Sequence, residues 1–306
     1  GIRGVLPALW LSEIEYRTHR PISRLFNMIA GTSTGGIIAA GLSAPQFKRK
    51  KITENYFEYE YSNLIPRFSA SDLLSIYKDE SKNLFTSTSL LDKIMWPKEH
   101  VKYTNEGRST IFKKYFEETR ISESFTELVI PAANENYTHL FTHYDAYENR
   151  LNIELNNTFV DILMATTASP TFFPAYKIGN KTFIDGGMHL NNPASTAYSE
   201  AIRYNVPEKN ISVLSLGTGC YLPDPSNSNQ YDLLFWAQNL PQSMISAQES
   251  NTDREMYNNL KNRYQRWQVF FEEPIGLDDH KSIPDLLELG YQYIEELDCS
   301  DENPIN

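Results

Sequence analysis

Short apolar runs alternate with longer amphipathic stretches along this chain of 306 residues. Runs of about four to eight apolar residues between turn residues are typical of buried strands, whereas apolar residues spaced three and four apart predict helices. These patterns predict strands at 25–30, 128–133, 140–142, 182–184, 211–216 and 267–271. They predict helices at 5–17, 36–41, 46–61, 109–116, 159–168, 192–204, 231–248 and 283–297, another beginning near 69, and a further helical turn or two at 87–95.

The order of these elements predicts the fold class. Strands and helices alternate from end to end, no internal repeat appears, and no linker divides the chain. Such alternation is typical of an α/β domain with helices on both faces of a mainly parallel sheet. We therefore predict a single domain over residues 1–306 with three layers, α/β/α. Because the chain opens on a glycine turn, Gly1-Ile2-Arg3-Gly4, followed at once by a helix, we also expect a strand to precede Gly1.

Charge and composition narrow the possible partners. The formal net charge is -11 and the pI is about 5.1, which argues against nucleic acid because phosphate binding needs a basic surface. We interpret the densest basic run, Lys48–Lys51, as a solvated helix face. Two cysteines, Cys220 and Cys299, do not make a disulfide framework and favour a reducing compartment. No apolar run approaches the roughly 18 residues of a membrane span, so we predict a cytoplasmic protein peripheral to membranes.

The most informative stretch is a strand, a sharp turn and the start of a helix, whose centre reads Gly31-Thr32-Ser33-Thr34-Gly35. In a G-x-S-x-G sequence, the serine lies on a strained turn and presents its hydroxyl at the positive end of the following helix. The residues two positions away on either side must lack a side chain so that strand and helix can approach. We therefore predict Ser33 as a nucleophile, with Gly31 and Gly35 meeting the steric requirement. The alternative is a glycine-rich connection whose serine has no chemical role.

A nucleophilic serine needs a base. Only two histidines, His189 in a loop and His280 in a polar turn, follow Asp185 in the order serine, acid, histidine of α/β-hydrolases. Asp185 itself is the better candidate, because it ends a predicted strand before two glycines, where the ligand crevice of a sheet opens. A free carboxylate is a weak base, so this role needs a buried aspartate or a serine polarised by its helix terminus. The alternative for the Asp-Gly-Gly sequence is a β-turn with no catalytic role.

Three motifs in this order resemble the patatin-like phospholipase family. That family combines a glycine-rich D-G-G-G-x-R-G oxyanion loop, a G-x-S-x-G serine and a D-G-[GA] aspartate. The chain matches them with Gly1-Ile2-Arg3-Gly4, Gly31 to Gly35 and Asp185-Gly186-Gly187, and the match to the first motif covers its last four residues. The stretches MATTASPTFFP at 164–174 and SLGTG at 215–219 also look like sequence of this family. The resemblance covers about residues 1–220.

The resemblance implies a patatin-like fold and a lipid acyl hydrolase of the phospholipase A type. Ser33 would attack the ester carbonyl, and Asp185 would accept its proton and later activate water on the acyl-enzyme. Backbone N–H groups would bind the oxyanion, a role that falls to Gly1, Ile2, Arg3 and Gly4. The dyad requires no metal or other cofactor. The implied partner is a lipid substrate at a membrane or micelle surface, and a protein activator is left open.

Other functions also fit the sequence. A catalytically silent lipid-binding or interaction protein would retain this fold, and the shortened oxyanion loop favours that alternative. A peptidase or small-ester esterase would use the same residues and differ only in its pocket. His139 and His143 flank a predicted strand without a carboxylate or cysteine at ligand spacing, so we predict no metal site there. We interpret the amphipathic segment 231–248 as packing on the core, with a lid or lipid-facing helix as the alternative.

Overall fold

The computed structural model describes residues 1–54, 56–85, 101–149, 152, 155–221 and 233–300. Its strands are β1 Met28–Ala30, β2 Pro45–Thr53, β3 Tyr56–Pro66, β4 Glu127–Ala133, β5 Thr138–Thr142, β6 Tyr176–Ile178, β7 Lys181–Asp185, β8 Val213–Leu216, β9 Cys220–Tyr221, β10 Tyr264–Trp267 and β11 Phe270–Phe271. Its helices are α1 Val5–Thr18, α2 Ile22–Leu25, α3 Thr34–Ser43, α4 Ala70–Leu84, α5 Glu106–Phe116, α6 His143–Glu148, α7 Phe159–Thr166, α8 Ala194–Arg203, α9 Leu233–Leu260 and α10 Ile283–Asp298. The helical turn predicted at 87–95 lies outside the described residues.

Five of the strands form the central sheet. β1, β4, β7 and β6 lie side by side in that order, and β5 also pairs with β4. Within this sheet β1 and β4 are parallel, whereas β4–β5, β4–β7 and β6–β7 are antiparallel. Two further pairs, β8–β10 and β9–β11, are parallel. The predicted α/β class is confirmed, and the sheet is mixed rather than mainly parallel.

Short connections explain two of the three antiparallel pairs of the central sheet, β4–β5 and β6–β7. Residues 134–137 join β4 to β5, and residues 179–180 join β6 to β7. Connections of this length join antiparallel neighbours, because a parallel pair needs a crossover of about a dozen residues or more. Gly179 makes the tighter turn with a φ of 59°, which glycine adopts without strain. The alternation of strands and helices did not reveal these hairpins, which is why it predicted a mainly parallel sheet.

Residues 46–53 and 56–61 lie in the two strands of a β-hairpin, so the helix predicted over 46–61 is wrong. β2 and β3 pair antiparallel, with Lys48 opposite Glu60 and Lys50 opposite Glu58. Opposite charges in such pairs stabilise a hairpin by roughly 0.2–1 kcal/mol each. Residues 57–61 alternate aromatic and acidic side chains, a period of two that is typical of a strand and that outweighs the helical interpretation. The basic run at 48–51 therefore lies on a strand and not on a helix face.

Two apolar cores cover the central sheet. The first joins α1, α4 and α10 to β10, and its buried members include Leu6, Trp10, Leu73, Trp267 and Leu286. The second joins α3, α5 and α7 to β4, and its buried members include Phe112, Leu128, Ile130, Phe159 and Leu163. Ile29 of β1 packs against both cores, so the sheet lies between two layers of helices. This arrangement confirms the three predicted layers.

Other predicted elements differ from the structure mainly at their ends. The helices predicted at 5–17, 109–116, 159–168, 192–204 and 283–297 correspond to α1, α5, α7, α8 and α10. Strand β1 is shorter than predicted because α2 and the turn after it occupy its expected beginning. Helix α9 continues to Leu260, well beyond the predicted end at 248. Within the described ranges, no helix combines the length and apolarity needed to cross a membrane.

Candidate active site

Ser33 lies on the sharp turn between β1 and α3. Its backbone has φ 54° and ψ -116°, a conformation that residues with a side chain rarely adopt. The Ser33 N–H donates to Thr166 Oγ1 over 3.0 Å, and the Thr166 hydroxyl donates to the Pro131 carbonyl over 2.6 Å. These two bonds tie the turn to the end of α7 and to β4. The surrounding structure therefore holds Ser33 in a strained conformation.

The two glycines that flank the turn have different surroundings. A Cβ atom at Gly31 would overlap the carbonyl oxygen of Gly35, so β1 and α3 could not approach as they do. A Cβ atom at Gly35 would meet nothing within 4 Å among the described residues beyond its own helix and neighbours. Only Gly31 thus meets the steric requirement that we predicted for both, because Gly35 faces open space.

Asp185 stands at the end of β7, directly beside the turn. The Ser33 hydroxyl donates to Asp185 Oδ2 over 2.6 Å, and the Gly187 N–H donates to Asp185 Oδ1 over 2.8 Å. The residue is only 7% exposed. Burial raises the pKa of Asp185, and the hydrogen bonds from Ser33 and Gly187 oppose that rise. The structure thus provides the buried aspartate that a direct role as base demands.

The glycines after the aspartate allow a close approach to neighbouring main chain and side chains. A Cβ atom at Gly186 would overlap the carbonyl oxygen of Pro131 in β4, and one at Gly187 would lie 2.9 Å from Asn191 Oδ1. The loop that follows is held by α9, because the Asn191 N–H donates to Gln248 Oε1 over 2.9 Å. This part of α9 therefore packs against the loop next to the aspartate.

Residues 1–4, to which the resemblance assigns the oxyanion, form a short 3-10 turn beside Ser33. The Thr34 hydroxyl donates to the Gly1 carbonyl over 2.8 Å. The Ile2 N–H donates to the Leu277 carbonyl over 2.8 Å, and the Gly4 N–H donates to the Gly1 carbonyl over 3.2 Å. The N–H groups of Ile2 and Gly4 are therefore already engaged.

Two N–H groups next to the serine have no hydrogen-bond partner in the part of the chain that the structure describes. They belong to Arg3 and to Thr34, and both residues line the same cavity as Ser33. The first turn of a helix leaves such groups unsatisfied, and they favour anions. Arg3 is thus the member of residues 1–4 with an available donor, and Thr34, placed in the turn by its motif, offers a second.

The two histidines considered as alternative bases have no contact of this kind. Among the described residues, no histidine side chain is hydrogen bonded to Ser33 or to Asp185. The His189 carbonyl accepts a hydrogen bond from the Gln248 side chain of α9, and His280 begins a 3-10 turn before α10. The structure therefore pairs the serine directly with the aspartate.

Packing and pairing explain the two histidines that flank the predicted strand 140–142, of which His139 lies within β5 and His143 directly after it. The His143 ring is hydrogen bonded to Glu127 over 2.9 Å. The His139 ring packs against the ring of Phe141 at 4.5 Å between centroids, and burial lowers the pKa of His139 to about 4. In the described ranges, no three His, Cys, Asp or Glu side chains are grouped so as to hold a metal ion.

Sequence reasoning missed two residues next to the dyad. Thr166 lies within the stretch at 164–174 that we noted for its resemblance, without a role of its own. Arg108 in α5 is only 2% exposed and hydrogen bonds to the end of α7. Its spacing of three and four to the apolar Ile111 and Phe112 places a charged residue on a buried helix face, and this was the signal that could have identified it.

A cavity of about 800 Å³ opens beside Ser33 and Asp185. Among the described strands, β1 pairs only with β4, and β8 pairs only with β10, so each has one unpaired edge. Residues of both β1 and β8 line the cavity. Apolar side chains from α3, α8 and β8 complete its walls, including Ile38, Leu42, Ala197, Ala201 and Leu214. Ser33, Asp185, Arg3 and Thr34 therefore line one space together. An acyl-transfer site needs a nucleophile, a base and oxyanion donors in such proximity.

Comparisons with known proteins identify the family. The family model described as patatin-like phospholipase matches residues 1–198. The chain is 26% identical over 272 residues to the cGAMP-activated phospholipase of Pseudomonas aeruginosa (strain BWHPSA011 / Pa011), which covers 86% of this chain and 74% of that protein. It is 30% identical over 230 residues to patatin-like protein 2 of Oryza sativa subsp. indica, and the match covers 68% of this chain and 52% of that protein. It is 28% identical over 250 residues to patatin-like protein 1 of Arabidopsis thaliana, and the match covers 72% of this chain and 56% of that protein. The chain therefore spans about half the length of these two plant relatives.

Proposed function

The chain belongs to the patatin-like phospholipase family, and from this premise we propose that it is a lipid acyl hydrolase of the phospholipase A type with a Ser33–Asp185 dyad. The observation that carries the proposal is the 2.6 Å hydrogen bond from Ser33 Oγ to a buried carboxylate oxygen of Asp185. Backbone strain at the serine and desolvation of the acid both destabilise the fold. Features of this kind are concentrated at functional sites.

In the first half of the reaction, the Ser33 oxygen attacks the carbonyl carbon of a fatty-acyl ester while Asp185 accepts the hydroxyl proton. The negative charge moves to the carbonyl oxygen, where the N–H groups of Arg3 and Thr34 donate hydrogen bonds. Collapse of this intermediate breaks the bond to the alcohol oxygen, which takes the proton from Asp185 and leaves as the lysolipid. The acyl group remains on Ser33 as an ester.

In the second half, water replaces the alcohol. Asp185 accepts a proton from the water as its oxygen attacks the acyl carbonyl, and the same N–H groups stabilise the oxyanion. Collapse returns the proton to Ser33 Oγ and releases the fatty acid, so that serine and aspartate are restored. Because both halves need the ionised aspartate, the rate falls as pH drops through the raised pKa of Asp185.

The comparisons support a lipid ester as the substrate class, because the family is one of phospholipases and the bacterial relative is itself named a phospholipase. On this proposal, the protein meets its substrate at a membrane or micelle surface.

A fluorophosphonate probe tests the dyad, because it reacts only with an activated serine. We expect labelling of the wild-type protein at Ser33, none in Ser33→Ala, and labelling at least about a hundredfold slower in Asp185→Asn. His189→Ala and His280→Ala are the controls and should be labelled at the wild-type rate. A loss of labelling in either histidine variant would replace the dyad by a triad.

Mass spectrometry of products from a mixed lipid extract tests the substrate class. We expect free fatty acids and lysolipids with the wild-type protein and neither with Ser33→Ala. The reaction is run with and without cGAMP, because the bacterial relative is named as activated by it. A folded protein that is not labelled and releases no fatty acid would instead be a silent lipid-binding protein. Cleavage of peptides or small esters alone would change the substrate class.

A further inference from the structure

Arg108 lies in the interior near the dyad but is not part of it. It is 2% exposed, and its guanidinium group lies over the ring of Phe173 at 4.1 Å from the centroid. Among the residues that the structure describes, no carboxylate forms an ion pair with it, and its Nε atom has no hydrogen-bond partner. A buried cation without an ion-pair partner destabilises a fold, so a role outside simple packing is indicated.

The guanidinium group holds the C-terminal end of α7. Its Nη1 atom donates to the Met164 carbonyl over 3.1 Å and to Thr167 Oγ1 over 2.6 Å. Carbonyl groups in the last turn of a helix lack partners within the helix, and a positive charge there is favourable for the helix dipole. Arg108 therefore fixes the segment 164–168 relative to α5.

Both members of the dyad are bonded to this same segment. The Ser33 N–H donates to Thr166 Oγ1 over 3.0 Å, and the Asp185 N–H donates to the Ala168 carbonyl over 2.9 Å. A movement of the segment would change the position of the serine relative to the aspartate. Displacements of about 1 Å at reacting groups reduce rates by as much as a hundredfold.

Arg108 also acts on Asp185 through its charge. It lowers the pKa of Asp185 and so opposes the effect of burial. Tyr176 is the other titratable group that faces Arg108, and its hydroxyl donates to Asp161 over 2.8 Å. Among the side chains that the structure describes, Arg108 is the cation that acts on the Asp185 carboxylate.

We propose that Arg108 is a positioning residue for the dyad, which holds the end of α7 that orients Ser33 and Asp185 and supplies the buried positive charge that balances the carboxylate. The inference rests on the proposed Ser33–Asp185 dyad. It predicts two separable effects, one on geometry and one on the pH dependence of the reaction.

The test measures the second-order rate constant for fluorophosphonate labelling of Ser33 from about pH 5 to pH 9, corrected for the folded fraction. In Arg108→Met, we expect a rate at least about tenfold lower at neutral pH and an acidic midpoint shifted upward by about half a pH unit or more. In Arg108→Lys, the charge is kept and the planar fork is lost, so the rate falls while the midpoint stays near that of the wild type.

Arg67→Met is the matched control for loss of a partly buried cation, because Arg67 lies over Phe47 at 4.3 Å and pairs with Glu117 at 3.9 Å, without contact to the dyad. We expect Arg67→Met to have a lower melting temperature, while the labelling rate of Ser33 per folded molecule and the acidic midpoint stay unchanged. The same result in Arg108→Met would overturn the inference and leave Arg108 a structural residue.

If Arg108→Met does not fold, Thr167→Val decides, since it removes one acceptor of the guanidinium group and keeps the charge. Labelling at least about threefold slower supports the positioning role, and an unchanged rate overturns it. If the wild-type protein is not labelled at Ser33, the proposed dyad fails and this inference fails with it. A labelled wild type with an unaffected Arg108→Met overturns the inference alone.

Discussion

The proposed Ser33–Asp185 dyad and the proposed oxyanion segment, residues 1–4, lie side by side, yet they are built in different ways. Ser33 and Asp185 meet through their side chains, and each is bonded by its own N–H to the end of α7. Residues 1–4 offer a main-chain N–H instead. Their position depends on the bond from Ile2 to the Leu277 carbonyl and on the hydroxyl of Thr34.

This difference decides what a sequence pattern can identify. The chemistry of a serine or an aspartate belongs to its side chain, so residue type and spacing indicate it. A backbone N–H is the same group in almost every residue, and only the structure shows which one is already engaged. The Ile2 and Gly4 donors are engaged, whereas those of Arg3 and Thr34 have no partner among the described residues.

The largest effect is expected on the dyad side, at Gly31. Gly31→Ala places a Cβ atom against the Gly35 carbonyl oxygen, a backbone atom that cannot rotate away. We expect the free energy of unfolding to fall by about 3 kcal/mol or more, at the upper end of the cost of overpacking. Urea unfolding measures this loss, and the labelling rate at Ser33 should fall with it because the turn must shift.

Gly35→Ala is the matched control for that change. A Cβ atom at Gly35 meets open space, and its φ is not positive. Because alanine is favoured over glycine within α3, we expect the free energy of unfolding to rise by about 0.5–1 kcal/mol. Equal losses in the two variants would contradict the asymmetry between these glycines.

The parts of the site that local patterns describe were predictable. Ser33 follows a short apolar strand and precedes a helix, and Asp185 ends another strand, so each was located from a few neighbouring residues. Their pairing across 152 residues was predicted from the place of Asp185 at a strand end and by comparison with the two histidines, and the resemblance to a family supported it. The α/β class was likewise predictable from the alternation of elements, since that depends on many short segments at once.

The parts that depend on contacts between distant segments were not predictable. Arg108 is bonded to Met164, and Ile2 is bonded to Leu277, in both cases across segments that no motif links. The hairpin of β2 and β3 was missed because its aromatic residues were interpreted as a helix face, although their spacing of two is that of a strand. Aromatic residues also favour strands, so propensity and strand pairing agree in this hairpin.

A smaller effect is expected on the oxyanion side, at Thr34. Thr34→Val removes the hydroxyl that donates to the Gly1 carbonyl and that contacts the Tyr77 hydroxyl. We expect fatty-acid release to fall by about tenfold because the oxyanion segment loses its bond to the turn, and the free energy of unfolding to fall by about 1 kcal/mol. Product release at saturating lipid, together with urea unfolding, measures both.

Thr126→Val serves as the control for Thr34→Val. The Thr126 hydroxyl is buried and donates to the Ser23 carbonyl over 3.2 Å, so the bond lost is of the same kind but lies outside the site. We expect a similar loss of stability with no change in rate. If both variants lose activity equally, the Thr34 hydroxyl does not position the oxyanion segment.

The smallest expected effect is a gain in stability on substitution of Asp185, whereas Gly31→Ala and Thr34→Val are expected to lower stability. Asp185→Asn removes a buried carboxylate, and the amide keeps a hydrogen bond to the Gly187 N–H. Because burial raises the folded-state pKa of Asp185 above its unfolded value, this group contributes stability below the unfolded pKa and loses it as pH rises through the folded pKa. The melting temperature of Asp185→Asn should therefore match that of the wild type in acid and exceed it slightly at neutral pH.

Thermal unfolding of both proteins across that pH range measures the difference, and Asp79→Asn, at an exposed aspartate of α4, controls for the change in net charge. If Asp185→Asn slows labelling of Ser33 and yet stabilises the fold, position 185 has a chemical requirement for a carboxylate that differs from what stability favours. The carboxylate would then be present for its chemistry, at a cost to the fold that the Ser33 and Gly187 hydrogen bonds only partly offset. A less stable Asp185→Asn at neutral pH would mean that the ionised side chain holds the turn and β7 together, and burial would no longer argue for a catalytic role.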